Sequence, residues 1–197
     1  MFISHKTRSI FIHIQKTGGD AIETAVRRDD PAAEVDCLGR RRHPFAREVR
    51  AAVAPELWAR YFRFAFVRNP WERLVSWYFM CVQIPAPNAF AKYVREQAPT
   101  FTDFITRATT GMGERTTWNQ IDFVSGDDGE PIVDFIGRYE NLAADYAVVK
   151  ERLSLSTDLP HTNRSSHGSY RDYYTDETRA IVADRYARDI AHFGYRF

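Results

Sequence analysis

Residues 9 to 20 run Ser9-Ile10-Phe11-Ile12-His13-Ile14-Gln15-Lys16-Thr17-Gly18-Gly19-Asp20. Ser9 to Ile14 is a short apolar run rich in isoleucine, with the length and composition of a buried parallel strand. Two glycines follow. Ile22, Ala25 and Val26 then recur at helical spacing, so a helix is expected to begin near Asp20. Strand, glycine loop and helix in that order turn backbone N–H groups and the positive end of a helix towards one point. Lys16 adds a full charge there. The set suits a phosphate-like anion, although a tight turn with no ligand accounts for Gly18-Gly19 equally well. In a nucleoside-triphosphate loop the glycines precede the lysine. Here they follow it. The loop is also shorter, which fits one terminal anion better than two phosphates bridged by magnesium.

Further along, Tyr61 to Val67 is an aromatic and β-branched run and reads as a second strand. Arg68-Asn69-Pro70 ends it. Asn69 is a good helix N-cap and Pro70 suits the first helical position. Trp71, Leu74, Val75, Tyr78 and Val82 form the apolar face of the helix that follows, with Ser76 on the other side beside Glu72 and Arg73. A guanidinium at the mouth of a sheet and a nearby hydroxyl could grip a second phosphate. An ordinary ion pair for Arg68 and a solvated Ser76 is the plainer alternative.

Between these units lie the basic turn Arg40-Arg41-Arg42-His43-Pro44 and a helix expected through Val49, Val53 and Leu57. Gln83 to Asn88 is Pro-rich and reads as a loop, and Thr102 to Thr109 as a short helix. A turn at Gly126 to Gly129 separates two strand-like pieces, the second being Ile132 to Tyr139. Asn141 caps a helix bearing Leu142, Tyr146, Val149 and Leu153. Leu159 to Gly168 is a polar loop. A last helix spans Asp176 to Ile190, with the segment from Phe193 to Phe197 packed back on the body. Strands alternating with helices argue for an α/β fold, a single domain over 1–197 with a mostly parallel sheet. Such sheets bind ligands at the carboxyl ends of their strands, where Lys16 and Arg68 both fall.

Composition narrows the functional classes. The chain has 197 residues, enough for one domain with a substantial core. A net charge of +1 gives no global attraction to nucleic acid or membrane, so an anion site must be local. The arginine run at 40–42 is therefore read as a solvated face rather than a nucleic-acid patch. The two cysteines, Cys37 and Cys81, form neither a disulfide framework nor a metal-ligand spacing. No stretch is apolar enough to span a bilayer, and residues 1–6 lack a signal-peptide core, so a cytoplasmic protein is expected. No metal-ligand cluster stands out.

Taken together, Phe11 to Gly19 and Phe64-Ala65-Phe66-Val67-Arg68-Asn69-Pro70-Trp71-Glu72-Arg73-Leu74-Val75-Ser76-Trp77-Tyr78 resemble the carbohydrate-type (family 2) sulfotransferases, which include heparan sulfate 2-O-sulfotransferase. The resemblance continues through Asp134 to Leu142, Leu159 to Asn163 and Phe193-Gly194-Tyr195. It implies a sulfotransferase fold akin to that of P-loop NTPases. It also implies a donor, 3'-phosphoadenosine 5'-phosphosulfate (PAPS), that leaves as PAP, and a hydroxyl acceptor, carbohydrate or related, with no metal. By position, Lys16, Thr17, Gly18, Gly19, Asp20 and Ala21 would surround the 5'-phosphosulfate. Arg68 and Ser76 would hold the 3'-phosphate. Arg164 and Ser165, in the loop from His161 to Ser166, would close over the donor. His43 stands where the family carries its catalytic base, and an unperturbed histidine suits that task; His161 is a rival. His13, within the first strand, is read as structural.

Two departures from the family pattern stand in the donor loop: Gln15 replaces the usual proline and Asp20 the usual Thr or Ser. A carboxylate at 20 removes a hydroxyl donor and adds like charge, or else caps the helix. Two other classes remain in view, a nucleotide kinase of P-loop type and a non-catalytic nucleotide- or glycan-binding module. Residues 84–88 and 109–120 are expected on the acceptor side, where Trp118 reads equally as a platform for a sugar ring or as a core residue.

Overall fold

The computed structural model describes residues 1–37, 43–109, 119–160 and 168–197. Its chain folds as two compact units, Met1–Arg68 with Gln120–Asn163, and Asn69–Asn119 with Arg164–Phe197.

The first unit is an α/β layer built on a five-stranded sheet. Its strands are β1 (Phe2–Ser4), β2 (Ser9–Ile12), β3 (Glu34–Val35), β4 (Phe62–Val67) and β5 (Phe135–Arg138), in the order β3-β1-β2-β4-β5. β2, β4 and β5 are parallel, with Ile12 opposite Ala65 and Val67 opposite Arg138. β1 and β3 add an antiparallel edge, so the sheet is mixed. The sequence reading did not foresee this edge, because strands of three and two residues are too short to show a period. The parallel strands all end on the same side, which brings the segments after Ile12 and Val67 to one rim.

Alternation along the strands sends Phe2, Phe11, Phe64 and Phe66 to one face. There Ile22, Ala25 and Val26 of α1 (Gly19–Asp29) and Tyr146, Val149 and Leu153 of the helix Leu142–Leu153 cover them. The rings meet edge-on or tilted, with centroids 5.0 Å apart for Phe11 and Phe64 and 5.9 Å for Phe2 and Phe64. Each such ring stabilises the fold by roughly 1.5–3 kcal/mol through burial alone. Ile10, Ile12, Ala65 and Val67 are also buried, which explains why β2 and β4 read as unbroken apolar runs.

Three expectations are corrected in this unit. The helix through Val49, Val53 and Leu57 is two helices, α2 (Ala46–Ala52) and α3 (Pro55–Arg60). Pro55 opens the second, and a residue before proline is pushed out of the helical region, so Ala54 cannot continue the first. The piece before Gly126 is a helix, Gln120–Val124, rather than a strand. The strand after the turn is shorter than Ile132 to Tyr139 and keeps only β5.

The second unit is helical in its described residues. α4 (Pro70–Gln83) has the expected start: Asn69 accepts from Trp71 N and Pro70 is first. α5 (Ala89–Gln97) and α6 (Phe101–Asp103) follow, the latter running into a π-helical turn, Phe104–Ala108, where one short helix was expected. The last predicted helix is broken at Tyr186 into Asp176–Arg185 and Ala187–Phe193. Tyr78, Phe101, Phe104, Tyr173 and Tyr174 form an aromatic core. Phe197 packs against Trp71, Tyr170 and Tyr174, in line with the expected return of the 193–197 segment. Among the described residues no helix is long and apolar enough to cross a membrane.

Candidate functional site

The loop between β2 and α1 is held in an unusual backbone conformation. Lys16 has φ 67° and Gly18 φ 84°, both left-handed. Glycine tolerates that region freely, whereas lysine adopts it at a cost and only where neighbours hold it. Thr17, fully buried, supplies one such tie by donating from Oγ1 to Ile14 O at 2.8 Å. Gly18 O then accepts from Ala21 N at 3.1 Å and Ile22 N at 3.3 Å, and the helix starts. The two glycines meet different neighbours. A Cβ on Gly18 would lie 3.1 Å from Leu142, while one on Gly19 would lie 2.2 Å from the His13 ring.

Arg68 ends β4 on the same rim. It is 4% exposed, and its Nη1 donates to Lys16 O at 3.2 Å. Its guanidinium stacks 3.9 Å over the centroid of Tyr139, which also lies beside Gly18. Gln120, fully buried, fixes the Arg68 backbone from both sides: Arg68 N donates to Gln120 Oε1 at 2.8 Å, and Gln120 Nε2 donates to Arg68 O at 2.7 Å. Arg68 thus braces the lysine loop. Gln120 and Tyr139 carry this brace; the sequence assigned no role to Tyr139 and placed Gln120 only at the end of a segment expected on the acceptor side. Tyr139 left a signal, its place directly after a parallel strand, but an isolated glutamine left none.

His13 sits one residue past β2, 3% exposed, with Nδ1 2.8 Å from Glu23 Oε1. Burial of Glu23 opposes its charge, but the hydrogen bond and charge of His13 and the Met1 ammonium 3.1 Å away prevail, holding the carboxyl down at about 2. An ionised carboxylate only accepts, so His13 Nδ1 is the donor. The His13 carbonyl in turn accepts from Nδ1 of half-buried His43 at 2.8 Å. A carbonyl cannot donate, so the proton of a neutral His43 resides on Nδ1 and its Nε2 carries the lone pair. The two rings meet edge to face, with centroids 4.6 Å apart. His13 is therefore tied to both His43 and the loop, a position that its place in an apolar run concealed.

The other candidates divide as follows. Asp20 is exposed on the first turn of α1, whose N-cap is Gly18, so it is not the helix cap. A carboxylate there still faces the positive end of the helix favourably. Ala21 is buried on the same turn. Ser76 lies in α4 of the second unit and is 3% exposed, so the alternative of a solvated Ser76 does not hold, and Arg73 on the same helix is fully buried. Arg40, Arg41, Arg42, Trp118, His161, Arg164 and Ser165 lie outside the described residues. Cys37 and Cys81 are free thiols. One set of metal-ligating side chains occurs among the described residues: His13, Asp20 and Glu23 bring one ligand atom each within 4.8 Å of the others.

The first turn of α1 thus stands next to Lys16 and the braced Arg68, with His43 bonded to the His13 carbonyl; unpaired N–H groups at a helix start favour an anion. A sequence model described as "Sulfotransferase family" matches residues 1–196. An uncharacterized protein of Archaeoglobus fulgidus is 28% identical over 130 residues, which are 62% of this chain and 93% of that protein.

Proposed function

Because the chain belongs to the sulfotransferase family, whose members are sulfuryl transferases, we propose that its donor is PAPS and its acceptor a hydroxyl of a carbohydrate or related small molecule. The donor supplies an activated sulfuryl group on its 5'-phosphate. His43 Nε2 takes the proton of the acceptor hydroxyl as that oxygen bonds to sulfur and the bond from sulfur to the bridging phosphate oxygen breaks. Lys16 and the backbone N–H groups around Thr17 to Ala21 stabilise the charge left on the departing phosphate, the electrostatic logic of phosphoryl transfer. Sulfuryl oxygens carry less charge than phosphoryl oxygens, so a lysine and aligned dipoles suffice. Arg68 and Ser76 hold the 3'-phosphate and Arg164 and Ser165 close over the donor, assignments supported by the family resemblance of those segments. The free thiols suit a reducing compartment, and we place the reaction in the cytoplasm.

The observation that carries this reading is the pairing of Arg68 Nη1 with the Lys16 carbonyl, 3.2 Å apart, which ties the two anion-binding motifs together. Thermal denaturation with PAP tests it. At a concentration one hundred times Kd, PAP adds about 2.7 kcal/mol and raises Tm by roughly 5–10 °C. Stabilisation by ATP with magnesium and none by PAP would instead indicate a kinase. For the base, His43→Ala is expected to lower kcat by about 10²–10⁴-fold with labelled PAPS and an accepted hydroxyl, leaving PAP binding near that of the parent. Normal turnover in that variant removes His43 from the role.

A further inference from the structure

Asp20, Glu23, Thr24, Arg27, Arg28 and Pro31 recur at alternating steps of three and one along α1 and just past it, which sets them on one side of the helix. Together they line an open cavity of about 480 Å³, within the size range of small-molecule sites. Ala21, Ile22, Ala25 and Val26 take the other side and are buried. Along the cavity the sign of charge changes. Asp20 and Glu23 put carboxylates at the end beside the lysine loop. Arg27 and Arg28 put two guanidiniums at the far end, about 10–12 Å further along the helix axis.

The acids nearest the arginine end in sequence are engaged elsewhere. Glu23 Oε1 is held by His13 and the Met1 ammonium. Asp29 accepts from the backbone N–H groups of Ser156 and Thr157. Asp30 accepts from Ser4 Oγ at 2.6 Å and from Ala32 N at 3.2 Å. Among the described residues neither Arg27 nor Arg28, both exposed, makes a hydrogen bond or an ion pair. The negative end of α1 does not require both of them, because Lys6 Nζ already donates to Asp29 O at 2.5 Å. Each guanidinium is a planar fork of N–H donors that matches a carboxylate or a sulfate.

We propose that this cavity takes the acceptor, and that Arg27 and Arg28 select an acceptor bearing a carboxylate or sulfate about two helical turns from the hydroxyl that reacts. That the guest is the acceptor rests on the function proposed above. That it is anionic at the arginine end rests on the charges alone. Its orientation follows from the change of sign. The carboxylates near the loop repel an anionic group and the guanidiniums attract it, so the neutral hydroxyl end lies towards Lys16. Glu23, the one buried side chain of the lining, bonds to His13, whose carbonyl holds Nδ1 of His43. The proposed base therefore belongs to the same end of the cavity as the reacting hydroxyl.

The test is a backbone 1H–15N NMR titration of the full chain with PAP present. The probes are inorganic sulfate, cellobiose and cellobiouronic acid, the last two differing only in one hydroxymethyl group oxidised to a carboxylate. Cellobiouronic acid should shift the amides of Thr24, Arg27 and Arg28 and bind about fivefold more tightly than cellobiose, the scale of two exposed ion pairs. The double variant Arg27→Gln/Arg28→Gln keeps good helix formers and alters no residue assigned to the donor. It should bind both disaccharides alike, and PAP as the parent does. Equal affinity of the parent for the two disaccharides overturns the proposal, as does a double variant that still prefers the acid. So do shifts confined to other segments, or shifts at Arg27 and Arg28 with sulfate alone, which mark a site for a bare anion. If the acid binds through Arg27 and Arg28 but PAP does not bind, the PAPS reading fails and the anion-selective cavity stands. If PAP binds and the α1 amides stay unmoved by every probe, the cavity proposal fails and the PAPS reading stands. Should the double variant fail to fold, the comparison of the two disaccharides on the parent decides.

Discussion

At the scale of single residues, the tightest contacts beside the lysine loop join Gly19, His13 and Glu23. Gly19→Ala would place a methyl 2.2 Å from a ring that Glu23, Phe11 and His43 hold in place, so loop or ring must move. We expect a destabilisation of about 1–3 kcal/mol, the usual range for overpacking, and loss of PAP-induced stabilisation; urea unfolding and thermal shift measure the two. Gly194→Ala is a useful contrast. Its φ of 66° makes alanine strained, but nothing lies within 4 Å of the new Cβ, so PAP binding should persist. Glu23 carries a pH dependence of definite sign. Its carboxyl is depressed from 4.5 to about 2, so the stability it contributes is present above pH ~4.5 and is lost as pH falls towards 2. Glu23→Gln should cost about 3 kcal/mol at pH 7, and the gap between parent and variant should narrow on acidification across that window. A gap independent of pH would mean that Glu23 acts by packing alone.

At the scale of elements, α1 ends in a second depressed carboxylate. Asp29 accepts from Ser156 N at 2.8 Å, from Thr157 N at 2.9 Å and from Thr157 Oγ1 at 3.0 Å, with Ser156 Oγ bonded to the same carboxylate. These bonds, those of Ser156 Oγ and Thr157 N foremost, hold its carboxyl down at about 2. They tie the C-terminal end of α1 to the chain a few residues before the loop from His161 to Ser166, which the family resemblance expects to close over the donor. Asp29→Ala should raise amide hydrogen exchange at Ser156 and Thr157 without disturbing β2 or β4. In the parent the same exchange should rise as pH falls below about 4, after correction for the intrinsic rate. Equal exchange in parent and variant would show that the anchor is unimportant. The boundaries of elements were legible where a residue with fixed geometry stood at the end, as Asn69-Pro70 does for α4. They were not legible at Tyr186, where an ordinary residue with φ −107° ends one helix and opens the next.

At the scale of the molecule, the first unit is discontinuous: residues from Met1–Arg68 and Gln120–Asn163 share one core. β5 and Tyr146, Val149 and Leu153 come from the later segment. A fragment of residues 1–68 would leave β4 without β5, one of its two neighbours, and Phe64 and Phe66 without part of their cover. We expect it to show no cooperative unfolding transition in urea, and a cooperative one would mean that the early segment carries its own core. The sequence by itself determined the two strand–loop–helix junctions, the buried character of β2 and β4 and the lysine–glycine cradle, because each is written in contiguous residues with local periodicity or fixed backbone preference. Only the tertiary structure decided that Arg68 turns back onto the Lys16 carbonyl, that Gln120 and Tyr139 hold it there, and that Glu23 reaches His13 while His13 reaches His43. Those contacts join residues 10 to 71 positions apart, and nothing in the local pattern of an arginine, a glutamine or a histidine specifies the partner it meets. Residue type offers the bond, and the register of the parallel strands and the helices packed on them chooses which bond is made.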